Sequence, residues 1–520
     1  MCNIKPTPLP SYTNISNLTP NTMDLHADDQ ELHRWPTTSE VIEEMKAMGK
    51  IAGPTTITGL ILYFRSMISM LFLGYLGDLE LAGGALAVAI ANITGYAVVS
   101  GLAMGMEPIC AQAYGADQMK LLGLTLHRTV ALLLAASVPI AAVWLNVKYI
   151  LLWCNQDEEI SAVAGNFVAF AIPDLFFLSF LHPLRIFMRS QGVTVPVMAL
   201  SFLAILLHIP ANFLLVNCLD LGVAGVALAT AITDFNLVLF LCLFVRISGE
   251  FEKSWISPTA ECLRGWSALI GLAVPACVSV CLEWWWYELM IVLCGLLANP
   301  RATLSSMGIL IQTTSFMYVF PSALSLGVAT RVGNELGAGR PARARVSMIA
   351  ALLCAAAMGA AAVVFATVVR ERWGRLFTDD GEILELTAAA LPIAGLCELG
   401  NCPQTAAGGV LRGSARPGVG ARVNLGSFYL VGMPAAFVMG FGMGMGFRGL
   451  WMGLLAAQVS CAAAMVAVLW RTDWREEVER GREVRKRDNV CDDGVIYRQD
   501  DERENESMKL QNHPLILVVC

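Results

Sequence analysis

Twelve apolar runs, most of them long enough to cross a bilayer as a helix, leave this chain very few ways to fold. They fall at about residues 50–75, 81–106, 124–146, 161–187, 195–218 and 222–247, then at 265–297, 304–329, 346–370, 383–411, 419–443 and 447–470. In hydrocarbon every backbone N–H and C=O must find its partner inside the protein, so runs of this kind form helices. Only 15% of the 520 residues are charged and 56% are hydrophobic, whereas a soluble domain carries about a quarter charged residues. The expected fold is an all-α polytopic membrane protein with twelve transmembrane helices.

The two sets of six runs resemble each other. Gly105-Met-Glu-Pro-Ile-Cys-Ala-Gln-Ala-Tyr-Gly-Ala116 aligns with Gly327-Val-Ala-Thr-Arg-Val-Gly-Asn-Glu-Leu-Gly-Ala338 at an offset of 222 residues, and Gly53-Pro54 with Val274-Pro275 at 221. Arg189-Ser-Gln-Gly192 pairs with Arg412-Gly-Ser-Ala415 in the same way. Two six-helix repeats around a central cavity near the bilayer midplane are a transporter architecture. The chain is therefore divided into an N-terminal tail (1–45), an N-lobe (46–247), an inter-lobe loop (248–264), a C-lobe (265–470) and a charged C-terminal tail (471–520). The first tail is expected to be disordered, with a short amphipathic helix near Val41–Met48, and the last to be solvated.

Lys and Arg collect in the loops on the side of both tails (Lys120, Arg185, Arg189, Arg246, Lys253, Arg264, Arg331, Arg340, Arg343, Arg345, Arg412, Arg416, Arg422). Fewer lie opposite (Lys148, Arg301, Arg370, Arg372, Arg375, Arg448). This bias places both termini in the cytosol. The sequons at Asn14, Asn17 and Asn505 would then go unused. The 15 cysteines form no CxxC pair or spaced framework and read as small membrane-core residues.

The stretch Cys281-Leu-Glu-Trp-Trp-Trp-Tyr-Glu-Leu-Met290 puts two carboxylates, Glu283 and Glu288, deep in the seventh run. Charges there are costly and usually face a cavity or a partner. Tyr287 shares a face with Glu283, while Glu288 lies about 140° round the helix. Trp284, Trp285 and Tyr287 offer flat surfaces for an organic guest. Glu398, Asn401 and Gln404 form a polar stripe at i, i+3, i+6 on the tenth run. If the seventh and tenth helices face each other, they build one polar chamber. A carboxyl in a low-dielectric wall favours its neutral form, which suits it to taking up and releasing a proton. The alternative for these acids is structural hydrogen bonding to neighbouring helices. Arg65 and Asp234 need buried partners, and His182 and His208 read as hydrogen-bonded structural residues. Pro54 and Pro275 interrupt the hydrogen-bond ladders of the first and seventh helices and permit bending.

Other patterns carry less. Gly444-Met-Gly-Phe-Arg-Gly449 spells GxGxxG but has no strand before it, so it does not suggest nucleotide binding. No P-loop, HExxH or serine-nucleophile elbow is present, and neither a catalytic nor a metal site is expected. A net charge of −7, held mostly in the tails, gives no support to nucleic-acid binding.

Gly-Tyr-Leu-Gly-Asp78, Cys110-Ala-Gln-Ala-Tyr-Gly-Ala116, Glu283-Trp-Trp-Trp-Tyr-Glu288, Arg331-Val-Gly-Asn-Glu-Leu-Gly-Ala-Gly339 and Gly409-Val-Leu-Arg-Gly413 together resemble the multidrug and toxic compound extrusion (MATE) family, of the plant detoxification type. The resemblance covers about residues 45–472. It implies a secondary active antiporter that exports or sequesters a small organic solute (a hormone, secondary metabolite or xenobiotic) in exchange for protons. No cofactor is implied beyond the proton gradient. It implies coupling through acids of helices seven and ten: Glu283 and Glu288, with Asn401 where some members carry an acid and Glu398 one turn away. Prokaryotic members use an Asp on helix one, where this chain has Ser69 at about that place. The family's membranes include the plasma membrane, vacuole, Golgi and late endosome, and a monomer among membrane lipids is the expected working form. A lipid-type flippase and a non-transporting sensor or scaffold are the alternatives.

Overall fold

The computed structural model describes residues 34–489; the sequons at Asn14, Asn17 and Asn505 lie outside them. Among the described residues, twelve helices are long and apolar enough to span a membrane. They are α1 (Thr38–Leu76), α2 (Asp78–Gly115), α3 (Met119–Trp144), α4 (Glu158–Ser190), α5 (Val195–Cys218) and α6 (Gly222–Ser248), then α7 (Trp266–Gly295), α8 (Pro300–Gly337), α9 (Pro341–Leu376), α10 (Gly381–Gly413), α11 (Pro417–Gly442) and α12 (Phe447–Trp470). A further helix, α13, covers Trp474–Asn489. The described residues form no strand.

Side chains set the helix starts. Asp157 accepts from the amides of Glu159 and Ile160 to open α4, and Asp380 does the same for Glu382 and Ile383 at α10. Proline begins α8, α9 and α11, where its missing N–H costs nothing.

Two tail expectations are corrected. α1 begins at Thr38, inside the stretch expected to be disordered, because Thr37 and Glu40 form a reciprocal capping box; the helix expected near Val41–Met48 is present as its first turns. Its first turns bury Glu44 and Met48. At the other end, residues 474–489 are helical rather than a solvated tail. Trp474, Val478, Gly481 and Arg485 recur at helical spacing and are buried against the lobes, so this charged segment is amphipathic. Arg485 reaches the buried Gln112 at 3.3 Å, and Glu477 pairs with Arg416 at 3.2 Å.

Each lobe has its own apolar core. The start of α7 (Leu269, Leu272) joins the N-lobe core, and Met48 near the start of α1 joins the C-lobe core. Met48 and Leu269 are repeat equivalents, so the exchange is symmetric. The contacts between lobes are also reciprocal. A Cβ on Gly105 would lie 2.3 Å from Ala273, and one on Gly327 would lie 3.4 Å from Ala52. Where α2 and α8 end side by side, Gly115 faces the Asn334 carbonyl and Gly337 the Gln112 carbonyl, with hypothetical Cβ distances of 2.0 and 2.1 Å. Both helices end on the side of the tails, so the lobes are pinned there by direct backbone contact.

Gly337→Ala should therefore overpack this junction and lower stability by about 1–3 kcal/mol. Thermal unfolding of the detergent-solubilised protein measures it, and an unchanged midpoint would show that the junction is loose.

Candidate functional site

The C-lobe holds a cavity of about 150 Å³ between α7, α8, α10 and α11, closed on one side by Ser100 and Met104 of α2. Along α7 its wall is Ala276, Ser279, Val280, Glu283 and Trp284, the i, i+3, i+4, i+7, i+8 set of one helical face. That face is presented because α11 takes hold of α7 from the side. Asn424 Nδ2 donates to the Ser279 carbonyl at 3.2 Å, and the Tyr429 hydroxyl donates to that of Leu282 at 2.9 Å. Trp286, 1% exposed, packs against Phe428 and Tyr429.

Glu283 thus lies in the cavity wall, with Arg412 and Glu398 as the charged groups whose fields reach it. Trp284 and Gln404 also line the cavity. The Gln404 Oε1 is buried and meets no donor, leaving an acceptor unsatisfied at the wall. Helices α7 and α10 therefore do share one polar chamber. The remaining site candidates lie elsewhere. Trp285 turns to the other lobe and donates to the Ile93 carbonyl at 3.3 Å. Tyr287 continues the Glu283 face one turn further and packs on the C-lobe core. Glu288 is rotated away from the cavity. The α10 stripe splits, since Glu398 is 2% exposed behind the wall and takes a hydrogen bond from Asn401 Nδ2 at 2.9 Å.

Pro54 and Pro275 both lie inside continuous helices. Proline cannot donate to the carbonyl four residues back, and at Pro54 the freed Lys50 oxygen is met by the Thr194 hydroxyl at 3.2 Å. Pro275 lies against Gly418 at the start of α11.

The N-lobe interior is also polar. Arg65 pairs with Asp234 at 2.5 Å, so the two residues that needed partners are each other's. Tyr96 donates to Asp174 at 2.8 Å. His208 is a structural residue, bonded to Thr233, Ser69 and Asn212. A second cavity of about 150 Å³ lies between α1, α4, α5 and α8, lined by Thr55, Thr58, Arg185, Arg189 and Thr194. Ser322 and Leu326 of α8 border both cavities.

The feature missed from the sequence sits between the two. Glu107 of α2, 1% exposed, accepts from Arg189 Nη2 at 2.7 Å with one oxygen and from Arg412 Nε at 2.8 Å with the other. Those arginines are repeat equivalents, and each lines one of the cavities. The repeat aligned Arg189 with Arg412, but Glu107 stands opposite Ala329, so nothing in the alignment pointed to it. A second ionic cluster secures the same tail side. Arg331 pairs with Glu44 and Glu335, and Ser347 donates to Glu44.

Twelve helices in two pseudo-symmetric lobes, each with a polar cavity at the lobe boundary, define a secondary-transporter architecture. The MatE family model matches residues 54–214 and 275–438, two blocks that open on the paired prolines. The chain is 62% identical to Protein DETOXIFICATION 48 of Arabidopsis thaliana over 498 residues, covering 93% of this chain and 94% of that one. It is 56% identical to Protein DETOXIFICATION 51 of the same plant, over 86% and 84% of the two chains. The crystal structure of the eukaryotic MATE transporter AtDTX14 superposes with a TM-score of 0.82 at 31% identity, covering 86% of this chain and all of that one. The chain belongs to the MATE family and is a multi-pass membrane transporter.

Removing the charge of Glu107 leaves the buried Arg189 and the partly buried Arg412 without their shared carboxylate. Glu107→Gln should lose about 3–5 kcal/mol of stability, the usual cost of breaking a buried ion pair from one side. Unfolding of purified wild type and variant compares them directly, and a loss below about 1 kcal/mol would show that solvent screens the triad.

Proposed function

We propose that this chain is a proton-coupled antiporter that exports or sequesters a small organic solute, a hormone, secondary metabolite or xenobiotic. It would sit in the plasma membrane or an endomembrane (vacuole, Golgi or late endosome) with both termini in the cytosol. One observation carries the reading: Glu283 shares the wall of the C-lobe cavity with Arg412, which also holds Glu107 and so the junction between the lobes.

An ionised Glu283 competes with Glu107 for the field of Arg412. Protonation removes that competitor and leaves Arg412 to Glu107, which tightens the tail-side junction. Release of the proton loosens it. The proton therefore biases which side of the membrane the cavity faces, a requirement of alternating access. In the same cavity Trp284 and Tyr318 supply flat apolar surface for a guest, and Gln404 an acceptor to orient it. Glu398 with Asn401 forms the second carboxyl position, behind the wall; Glu288 takes no part. Family membership and the name shared by the Arabidopsis relatives support transport of small organic compounds.

Solute flux into proteoliposomes under an imposed pH gradient tests this, with a panel of cationic, neutral and anionic organics. The wild type should show gradient-dependent flux of at least one class, and Glu283→Gln should reduce it at least tenfold. Undiminished flux in the variant would move the proton site to Glu398. Flux no greater than in empty liposomes for every solute would contradict transport of these classes.

A further inference from the structure

Arg185 and Arg189 sit one turn apart on α4 and face the same N-lobe cavity. Arg189 gives Nη2 to Glu107, but its Nε is buried without a partner, as are Nε and Nη2 of Arg185. Among the described residues Arg185 makes neither a hydrogen bond nor an ion pair. Buried charged donors are normally paired, and guanidinium cannot escape by losing its proton. The rest of the wall does not relieve them. It contributes no carboxylate, and its Thr55, Thr58 and Thr194 hydroxyls, which donate to the carbonyls of Ile51, Pro54 and Lys50, accept nothing from either arginine. The unmet capacity of the cavity thus consists of positively charged donors. Its chemical complement is an acceptor-only anion, and a carboxylate matches the guanidinium fork with two parallel hydrogen bonds.

We propose that the N-lobe cavity is an anion subsite, in which Arg185, aided by Arg189, binds the carboxylate of a small organic acid. This rests on the transport reading only in taking the occupant to be the solute. The acid's apolar body would extend past Ser322 and Leu326, which border both cavities, toward Tyr318 and Trp284 of the C-lobe. The intramolecular alternative is Asp234. It holds Arg65 through Oδ1, while its Oδ2 meets no donor and lies within the field of Arg185. If Arg185 turned to that oxygen, the cavity would lose its charge.

Equilibrium binding of radiolabelled benzoate, and of uncharged benzamide, to the full-length protein in phosphatidylcholine nanodiscs separates these outcomes without any pH gradient. Benzoate should bind at least tenfold more tightly than benzamide. Arg185→Gln should weaken benzoate at least tenfold, and Arg185→Lys should recover part of the loss. Equal binding of the two probes, or benzoate binding unaffected by Arg185→Gln, would overturn the subsite. Should Arg185→Gln fail to fold, Thr58→Glu places a competing carboxylate in the cavity and should abolish benzoate binding, whereas Thr58→Gln should retain it; loss in both or in neither would overturn the proposal. Phosphatidylglycerol nanodiscs should leave the affinity unchanged; displacement by that lipid would assign the cavity to a headgroup and overturn the solute assignment. Binding that persists in a protein without flux would contradict the antiport reading alone.

Discussion

The two lobes meet around one buried carboxylate. Glu107, itself buried, holds a guanidinium group from each half, Arg189 and the partly buried Arg412. Around that point the packing is tight enough to demand glycine. Gly115 and Gly337 let each helix end rest on the other's backbone, and Gly333 faces Ala111 closely across the pseudo-two-fold axis. Neither an ion triad nor a backbone contact can loosen gradually at small cost, so a junction built this way resists small deformations. The cavities lie against it, and one arginine of the triad lines each of them.

The symmetry explains why so much of the architecture is legible in the sequence. Glycines at 105, 115, 327 and 337 recur at a fixed offset, and at 105, 115 and 337 the neighbouring backbone approaches too closely for a side chain. The cost of a charge in the seventh run marked Glu283 as a residue that faces a cavity or a partner, and it lines the C-lobe cavity; the i, i+3 spacing on α10 reappears as the bond between Asn401 and Glu398. What stayed hidden is asymmetric or long-range. Glu107 has no equivalent in the second half, and its bond to Arg412 spans 305 residues. The tail helix α13 was obscured by its charges, since its apolar face is only Trp474, Val478 and a glycine wide. The early start of α1 was readable in Thr37 and Glu40, a local capping signal that hydropathy overlooks. Trp285 and Tyr287 were grouped with the cavity by their chemistry, but helix rotation and height along α7 put them elsewhere.

The halves also differ in charge. In the C-lobe a carboxylate and an arginine share the cavity wall; in the N-lobe the wall carries arginine and hydroxyl groups, with the acids Asp174 and Asp234 held behind it by Tyr96 and Arg65. The duplicated helices thus carry unlike walls, and the two proposals assign the proton to one lobe and the anion to the other. The shared residues of α8, Ser322 and Leu326, are where the two would meet.

The central claim is that the charge on Glu283 reaches the tail-side junction through Arg412. Spin labels at Ile247 and Arg471, at the tail-side ends of α6 and α12, would report the distance between lobes, with the exposed Cys154 and Cys218 and the tail cysteines Cys2, Cys491 and Cys520 replaced. Acidification should shift the wild-type distribution toward the shorter distance, and Glu283→Gln should hold that distance at every pH. A variant that follows pH as the wild type does would contradict the account.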